Sequence, residues 1–184
     1  MENLPDLPFT VSASVAQKAR SVKLALFDVD GVLTDGRLHY GKDGEELKVF
    51  HALDGHGLKM LQQAGIQVGV ITARQSQALA RRLQDLGIEH VFMAVRDKVE
   101  CFEALCEKLN IEPQYCAFTG DDVIDLGVMQ RCGLKCSVEN AHFVVKHFAD
   151  WVSPFAGGGG AVRSICDLIL YSQDVYPIGQ TSTQ

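Results

Sequence analysis

Short apolar runs alternate with amphipathic stretches along most of this chain, and that alternation constrains the fold more than any other feature. The runs typical of buried strands are Val22–Phe27, Ile66–Ile71, Val91–Val95 and Tyr115–Thr119, with Leu134–Val138 and Trp151–Ser153 as later edge strands. Helical spacing of apolar residues follows them over Gly55–Ala64, Ser76–Leu86, Lys98–Leu109, Asp122–Arg131, Ala141–Phe148 and Ala161–Tyr171. Strand–helix alternation predicts right-handed crossovers and a mainly parallel sheet, so we expect an α/β fold with a Rossmann-like, doubly wound parallel sheet.

One segment, residues 35–53, departs from the alternation. Two β-like stretches there surround Gly41–Gly44, and the Lys42-Asp43-Gly44 turn favours a small inserted β-hairpin. The 184 residues fit a single domain, 1–184, and leave no run long enough for a large cap domain. Residues 172–184 are polar and include Pro177 and Gly179, so we expect a mobile tail.

The charge and the cysteines exclude several classes of partner. Lys and Arg number 17 against 23 Asp and Glu, and a net charge of -6 argues against nucleic acid or an anionic membrane. No run reaches the roughly 18 apolar residues of a membrane span, and the N-terminus lacks the pattern of a secretory signal. The six cysteines form no C-x-x-C pair, which favours reduced thiols. We therefore expect a cytoplasmic protein, and its charge is compatible with a small anionic substrate.

The first predicted strand ends in a pair of carboxylates. Alternation places Asp28 and Asp30 on one side of the strand, at the end where α/β folds bind ligands. Carboxylates that lie close together repel unless a cation or a proton lies between them, and oxygen ligands alone suit Mg²⁺. Taken alone, the D-x-D-G pattern fits an acidic turn as well as a metal site.

Polar residues also follow the next three strands. Thr72 follows the second, Lys98 begins a helix after the third, and Gly120–Asp122, with Asp125 beyond, follow the fourth. Each alone has a structural explanation: an N-cap, a surface cation, or acidic groups that favour a helix N-terminus. The carboxyl ends of parallel strands meet at one edge, so together these residues indicate one site. A carboxylate nucleophile, a divalent metal, a lysine and a hydroxyl fit phosphoryl transfer.

Four motifs in this chain resemble, in their order, those of the haloacid dehalogenase superfamily of phosphatases. They are D-x-D-G-V-L-T-D-G, hydrophobic-T-A-R, a Lys, and G-D-D-x-x-D. Three longer segments are similar to one family within that superfamily, the 3-deoxy-D-manno-octulosonate 8-phosphate phosphatases. They are GEELKVFHALDGHGLKML, GDDVIDLGVM and AGGGGAVRSICDLIL. The likeness runs from about Val22 to Leu170. It implies Mg²⁺-dependent hydrolysis of that phosphorylated sugar acid through an aspartyl-phosphate intermediate, in lipopolysaccharide synthesis.

The resemblance also implies a role for each matching residue. Asp28 would be the nucleophile, and Asp30 the general acid and base, whose main-chain carbonyl binds Mg²⁺. Asp28 and Asp121 would complete the protein ligands of the metal. Thr72 and Lys98 would hold the phosphoryl oxygens, while Asp122 and Asp125 would fix metal-bound waters or Lys98.

In this family the sugar-acid site lies partly across a subunit boundary. The family is a homotetramer in which the inserted hairpins pack into a small barrel, and its C-terminal tail can fold over a neighbouring active site. The matching positions here are Asp30, His51, Ala52, Leu53, Asp54, Gly55, Lys59, Arg74, Arg82 and Lys98.

Some positions depart from the family pattern and leave alternatives open. Leu53 and Gly159 stand where a basic residue is common, and Ala73 where Gly is usual. Lys59 replaces an Arg, which exchanges a bidentate grip on a carboxylate for a point charge. A phosphatase of a related nine-carbon keto-sugar-acid phosphate is therefore an alternative. A phosphorylated receiver-like signalling domain is an alternative of another class, although the D-x-D pattern and the late acidic cluster count against it.

Overall fold

Strands and helices alternate along the part of the chain that the computed structural model describes, residues 5–42 and 44–177, with the backbone alone at 45 and 46. The strands are β1 (Leu24–Phe27), β2 (His39–Gly41), β3 (Gly44–Leu47), β4 (Gln67–Ile71), β5 (His90–Phe92), β6 (Cys116–Thr119), β7 (Leu134–Ser137) and β8 (Trp151–Val152). The α-helices are α1 (Ala13–Arg20), α2 (Ala52–Gln63), α3 (Gln77–Asp85), α4 (Lys98–Leu109), α5 (Leu126–Met129), α6 (Phe143–Phe148) and α7 (Ala161–Ser172).

Six of these strands form one parallel sheet, in the order β5-β4-β1-β6-β7-β8. The chain first builds the sheet outward from β1 through β4 to β5, and then returns to build the other half from β6. This is the order of a doubly wound Rossmann-like sheet, whose direction reverses between β1 and β6. Such sheets bind ligands at the carboxyl ends of the strands, beside that reversal.

Alternating side chains of β1 feed two hydrophobic cores, one on each face of the sheet. Ala25 and Phe27 belong to the core that includes side chains of α2, α3 and α7, while Leu24 and Leu26 belong to the core of α4, α5 and α6. Because both faces are covered, β1 is buried along its whole length. This confirms the expected α/β fold, and the described residues contain no large cap domain.

The structure corrects the sequence interpretation in several details. β7, which the sequence indicated as an edge strand, lies inside the sheet because it pairs with both β6 and β8. At this end of the sheet the edge strand is β8. The helix expected over Asp122–Arg131 is a 3₁₀ turn, Val123–Asp125, followed by the short α5. The helix α1 was not expected; Ser12 caps it through its hydroxyl.

The hairpin expected over 35–53 is present as the antiparallel pair β2 and β3, with a register shift between His39 and Tyr40. Its span is shorter than expected, because α2 already begins at Ala52. Asp43, in the expected turn, lies outside the described residues. Several large apolar side chains in and around the hairpin are exposed: Leu38, Tyr40, Leu47 and Val49.

The segment 172–184 has a packed beginning. Ser172 is the last residue of α7, and the side-chain amide of Gln173 donates hydrogen bonds to the carbonyls of Ala19 and Val22. The hydroxyl of Tyr176 accepts a hydrogen bond from Arg163, and residues 178–184 lie outside the described part. Mobility of the tail therefore stays a prediction. No helix among the described residues is long and apolar enough to cross a membrane.

Candidate active site

A buried lysine joins two carboxylates at the point where the sheet reverses. Asp28 directly follows β1, and Lys98 is the first residue of α4. Lys98 Nζ donates hydrogen bonds to Asp28 Oδ1 at 2.6 Å and to Asp125 Oδ1 at 2.7 Å. All three residues are buried, so Lys98 is no surface cation. Charged groups buried at this depth are stable only when they are paired.

Asp121, which follows β6, lies beside this group. Single carboxylate oxygens of Asp28, Asp121 and Asp125 all lie within 4.8 Å of one another. The loop after β1 approaches Asp121 so closely that a Cβ at Gly31 would overlap the Asp121 carboxylate, and the φ of Gly31 is +95°. Only glycine meets both demands, which accounts for the fourth residue of the D-x-D-G motif that begins at Asp28.

Burial, and then the crowding of charges, shifts the pKa values of this group. Burial, and then repulsion from Asp125, raises the pKa of Asp28 to about 6, although Lys98 opposes the shift. Burial and repulsion from Asp28 raise the pKa of Asp121 to about 7. Burial lowers the pKa of Lys98, but Asp28 and Asp125 outweigh it and hold that pKa above its ordinary value. The site therefore keeps its lysine charged and has an unmet need for positive charge at Asp28 and Asp121.

The two acidic residues expected to support the site differ in their positions. Asp125 is fully buried, and its Oδ2 accepts hydrogen bonds from the main-chain N–H groups of Asp121 and Asp122, at 3.1 and 3.3 Å. Its other oxygen binds Lys98, so Asp125 fixes both the lysine and the Asp121 loop. Asp122 is exposed, and its side chain accepts a hydrogen bond from the N–H of Val123.

Thr72 follows β4, the strand next to β1, and its side chain is buried. Its hydroxyl oxygen accepts a hydrogen bond from the N–H of Arg74 at 3.3 Å. The N-cap of α3 is Ser76, so Thr72 does not serve that structural role. The structure thus places Thr72, Asp28 and Asp121 at the carboxyl ends of three adjacent strands, as the sequence predicted.

Asp30 is held by Arg74, which the resemblance assigned to the sugar-acid site, and by Lys48, which the sequence interpretation missed. Lys48, which follows β3, donates a hydrogen bond from Nζ to Asp30 Oδ1. Arg74 Nε lies 3.6 Å from Asp30 Oδ2, and Arg74 Nη2 donates to the hydroxyl of Tyr40 at 2.7 Å. Alternation in the sequence would turn the apolar Leu47 and Val49 inward and Lys48 outward, whereas the structure exposes both apolar side chains.

Comparison with known proteins agrees with this geometry. The model of the haloacid dehalogenase-like hydrolase family matches residues 40–133. A 3-deoxy-D-manno-octulosonate 8-phosphate phosphatase of Escherichia coli is 44% identical over 163 residues, which cover 89% of this chain and 87% of that relative. The chain belongs to the haloacid dehalogenase-like hydrolase family. It is a phosphoric monoester hydrolase of that family.

Solved structures of this hydrolase family have the same fold. The 3-deoxy-D-manno-octulosonate 8-phosphate phosphatase of Yersinia pestis superposes with a TM-score of 0.88 at 40% identity, and covers 90% of each chain. The phosphatase of the same name from Moraxella catarrhalis, in complex with a magnesium ion, a phosphate ion and a KDO molecule, gives a TM-score of 0.85 at 40% identity. That match covers 88% of this chain and 93% of the Moraxella chain.

Several residues at and before the start of α2 were expected to line the sugar-acid site of this hydrolase. Within one subunit they instead contact other parts of the protein. Asp54 is buried, and its carboxylate accepts hydrogen bonds from the N–H groups of Arg163, at 2.7 Å, and Gly160, at 3.3 Å. It thereby caps the N-terminus of α7, a contact that the sequence interpretation did not foresee. His51 Nδ1 lies 4.0 Å from Asp54 Oδ2. The guanidinium of Arg82 lies against Gly55.

The remaining residues expected at the sugar-acid site face solvent. Ala52, Leu53 and Lys59 are exposed on α2. Within the described part of the chain, no ion pair or hydrogen bond joins Lys59 to the carboxylates around Lys98. The structure brings together the residues expected to hold phosphate and metal, whereas Ala52, Leu53 and Lys59 stay apart from them.

Proposed function

We propose that this phosphatase hydrolyses 3-deoxy-D-manno-octulosonate 8-phosphate to the free sugar acid and phosphate. The observation that carries the chemistry is the buried Lys98, which links Asp28 to Asp125 beside the Asp121 carboxylate. The named substrate of the Escherichia coli and Yersinia pestis relatives, at 44% and 40% identity, supports the choice of sugar acid.

The nucleophile of the proposed reaction is Asp28. Its carboxylate attacks the phosphorus atom, the new bond joins phosphorus to an Asp28 oxygen, and the bond from phosphorus to the sugar oxygen breaks. Asp30 gives a proton to the departing sugar oxygen. It then takes a proton from a water molecule, which attacks the phosphorus of the aspartyl phosphate and releases inorganic phosphate.

Lys98 and Thr72 stabilise the phosphoryl group in this reaction. A phosphoryl group in transfer spreads negative charge over its equatorial oxygens, and a fixed ammonium group close to Asp28 lowers the energy of that charge. Asp125 keeps Lys98 directed at the nucleophile through its 2.7 Å hydrogen bond. Thr72 offers a buried hydroxyl from the adjacent strand β4.

The carboxylates fit Mg²⁺ as the cofactor. Asp28 and Asp121 offer oxygens within 4.8 Å of each other, their raised pKa values reflect charge that a cation would balance, and the main-chain carbonyl of Asp30 offers a third ligand. Asp125 is less suited as a ligand, because Lys98 and two N–H groups already occupy its oxygens. Bound Mg²⁺ would neutralise charge so that the Asp28 carboxylate and an anionic phosphate can approach each other.

We infer that the active unit is a homotetramer, closed by packing of the hairpins. A hydrolase without a large cap has an open active site, and the hairpin's exposed Leu38, Tyr40, Leu47 and Val49 need a partner. Packing against other copies would cover these side chains and let a neighbour complete the sugar site. In such an assembly the exposed Leu53 and Lys59 could line the active site of a neighbouring subunit.

A phosphate-release assay across eight-carbon and nine-carbon keto-sugar-acid phosphates tests the proposal. With Mg²⁺ present, we expect the highest kcat/KM for 3-deoxy-D-manno-octulosonate 8-phosphate, and excess chelator should abolish release until Mg²⁺ is restored. Preference for a nine-carbon substrate would contradict the proposed specificity and leave the chemistry in place. Absence of steady-state release from every sugar phosphate would favour the receiver-like alternative.

A further inference from the structure

Lys48 makes a contact in the active site that the proposed reaction does not yet use. Its Nζ donates a hydrogen bond to Asp30 Oδ1, and only 2% of its side chain is exposed, although Leu47 and Val49 on either side are exposed. Burying an ammonium group is costly unless a carboxylate pairs with it, and Asp30 provides that carboxylate.

The hairpin region connects to Asp30 on two sides, directly through Lys48 and indirectly through Tyr40 and Arg74. Lys48, directly after β3, binds Oδ1 of Asp30. On the other side Arg74 Nε lies 3.6 Å from Oδ2, while Arg74 Nη2 donates to the hydroxyl of Tyr40 in β2. The carboxylate is therefore held between two cations, each of which is tied to the hairpin.

We propose that Lys48 is a positioning residue, which holds the Asp30 carboxylate in place for proton transfer and makes that placement depend on the order of the hairpin. The proposal rests on the proposed function, in which Asp30 is the general acid and base. An acid or base must lie within hydrogen-bond reach of its partner atom, and a misplacement of about 1 Å can cost roughly a hundredfold in rate. Lys48 acts through Asp30 and needs no contact with the reacting atoms.

Side chains alternate in direction along residues 47–50, and this links the position of Lys48 to packing of the hairpin against another copy of the chain. Leu47 and Val49 are exposed, whereas Lys48 and Phe50 are turned inward. A two-stranded hairpin is marginally stable alone, so covering Leu47 and Val49 would stabilise the segment that carries Lys48. Packing of the hairpin against another copy would in this way fix the Asp30 carboxylate.

Kinetics of Lys48→Met, Lys48→Arg and the control Lys42→Met test the proposal. Lys42 is an exposed lysine of the same hairpin. For each variant, kcat and KM are measured with Mg²⁺ on the eight-carbon sugar-acid phosphate and on p-nitrophenyl phosphate, and light scattering gives the molar mass.

For Lys48→Met we expect kcat to fall by about ten- to a hundredfold on the sugar phosphate, with KM within about twofold and the molar mass unchanged. The loss should be smaller on p-nitrophenyl phosphate, because p-nitrophenolate leaves without a proton. Lys48→Arg should retain most of kcat, added methylammonium should partly restore Lys48→Met, and Lys42→Met should match the wild type.

A wild-type kcat in Lys48→Met would overturn the proposal. A raised KM with unchanged kcat would also overturn it, because Lys48 would then bind substrate. The same holds for a loss that neither arginine nor methylammonium restores, or one that accompanies a changed molar mass, because Lys48 would then be structural. If the wild type hydrolyses p-nitrophenyl phosphate but not the sugar phosphate, the proposed substrate is contradicted. The Lys48 variants are then compared with the wild type on p-nitrophenyl phosphate. Inactivity of the wild type on both esters overturns both proposals.

Discussion

At the scale of single residues, the proposed ligation of Mg²⁺ by Asp28 and Asp121 makes the metal compete with protons for these two carboxylates. Their pKa values, about 6 and about 7, lie above the ordinary value of 3.8. Without metal, the folded protein therefore holds protons that the unfolded chain releases. This contribution to stability is complete below about pH 4 and is lost as the pH rises through about 6 and 7.

We therefore predict that Mg²⁺ raises Tm more at about pH 8 than at about pH 5, where protons already occupy the two carboxylates. Calorimetry with and without Mg²⁺ measures the shift at each pH. Asp121→Asn is the informative variant, because it should remove most of the increase at the higher pH. An equal increase at both pH values would contradict the prediction.

A second residue-scale prediction concerns the glycine run before α7. A Cβ at Gly157 would overlap the carbonyl oxygen of Gly31, in the loop that carries Asp30, whereas the nearest atom to a Cβ at Gly159 is the Ala156 carbonyl oxygen, at 3.2 Å. Gly157→Ala should lower the free energy of unfolding by about 1–3 kcal/mol or more and reduce kcat, because the Gly31 loop must move. Thermal unfolding and phosphate release of both alanine variants check this. Equal effects at both positions would refute it.

Residues at the strand ends could be predicted from the sequence, and residues joined over long distances could not. Asp28, Thr72, Lys98 and Asp121 each follow a strand or begin the helix after one, so topology alone brings them together. Asp54 caps a helix start 109 residues away, at Arg163, and nothing in its local sequence shows that contact. Lys48 depends in the same way on where the hairpin lies.

At the scale of elements, Asp54 ties α2 to α7. Its carboxylate satisfies two N–H groups at the start of α7, where Gly160 has a φ of +102° and no side chain to act as a cap. The two helices pack closely against each other in one of the cores. The resemblance assigned Asp54 to the sugar site, whereas its contacts within the subunit are those of a helix cap.

Asp54→Ala should therefore lower the free energy of unfolding by about 1–2 kcal/mol, which corresponds to a fall in Tm of about 2–4 °C for each kcal/mol. Asp85→Ala, at an exposed position at the end of α3, serves as the control and should leave Tm nearly unchanged. Denaturant unfolding of both variants measures the difference. An unchanged stability in Asp54→Ala, with a raised KM, would return Asp54 to the substrate site.

At the scale of the whole molecule, the parallel direction of the sheet could be predicted from the sequence, but the order of its strands could not. The strand–helix alternation predicted a parallel sheet, yet it could not show that β7 lies inside the sheet, because strand order depends on long-range pairing. The exposed apolar side chains of the hairpin are the observation on which the proposed packing between copies of the chain rests.

We predict that Leu47→Glu or Val49→Glu dissociates the proposed homotetramer and weakens selectivity for the proposed eight-carbon substrate. Both side chains are more than half exposed in the single subunit, so a charge there is tolerated by the monomer and repelled in a packed assembly. Light scattering gives the mass, and kcat/KM on two sugar phosphates gives the selectivity. A wild-type protein that is fully active as a monomer at nanomolar concentration would contradict the assembly.

The central claim, a phosphoryl group carried by Asp28, is tested most directly by acid quench and peptide mass spectrometry. Wild-type protein and Asp30→Asn are mixed with Mg²⁺ and the eight-carbon sugar-acid phosphate, quenched within one turnover and digested. We predict that the peptide holding Asp28 gains the mass of one phosphoryl group, more persistently in Asp30→Asn, which activates water poorly. Asp28→Asn should show no such gain and should lose about a thousandfold or more in kcat. A phosphorylated peptide elsewhere, or wild-type phosphate release by Asp28→Asn, would contradict the account.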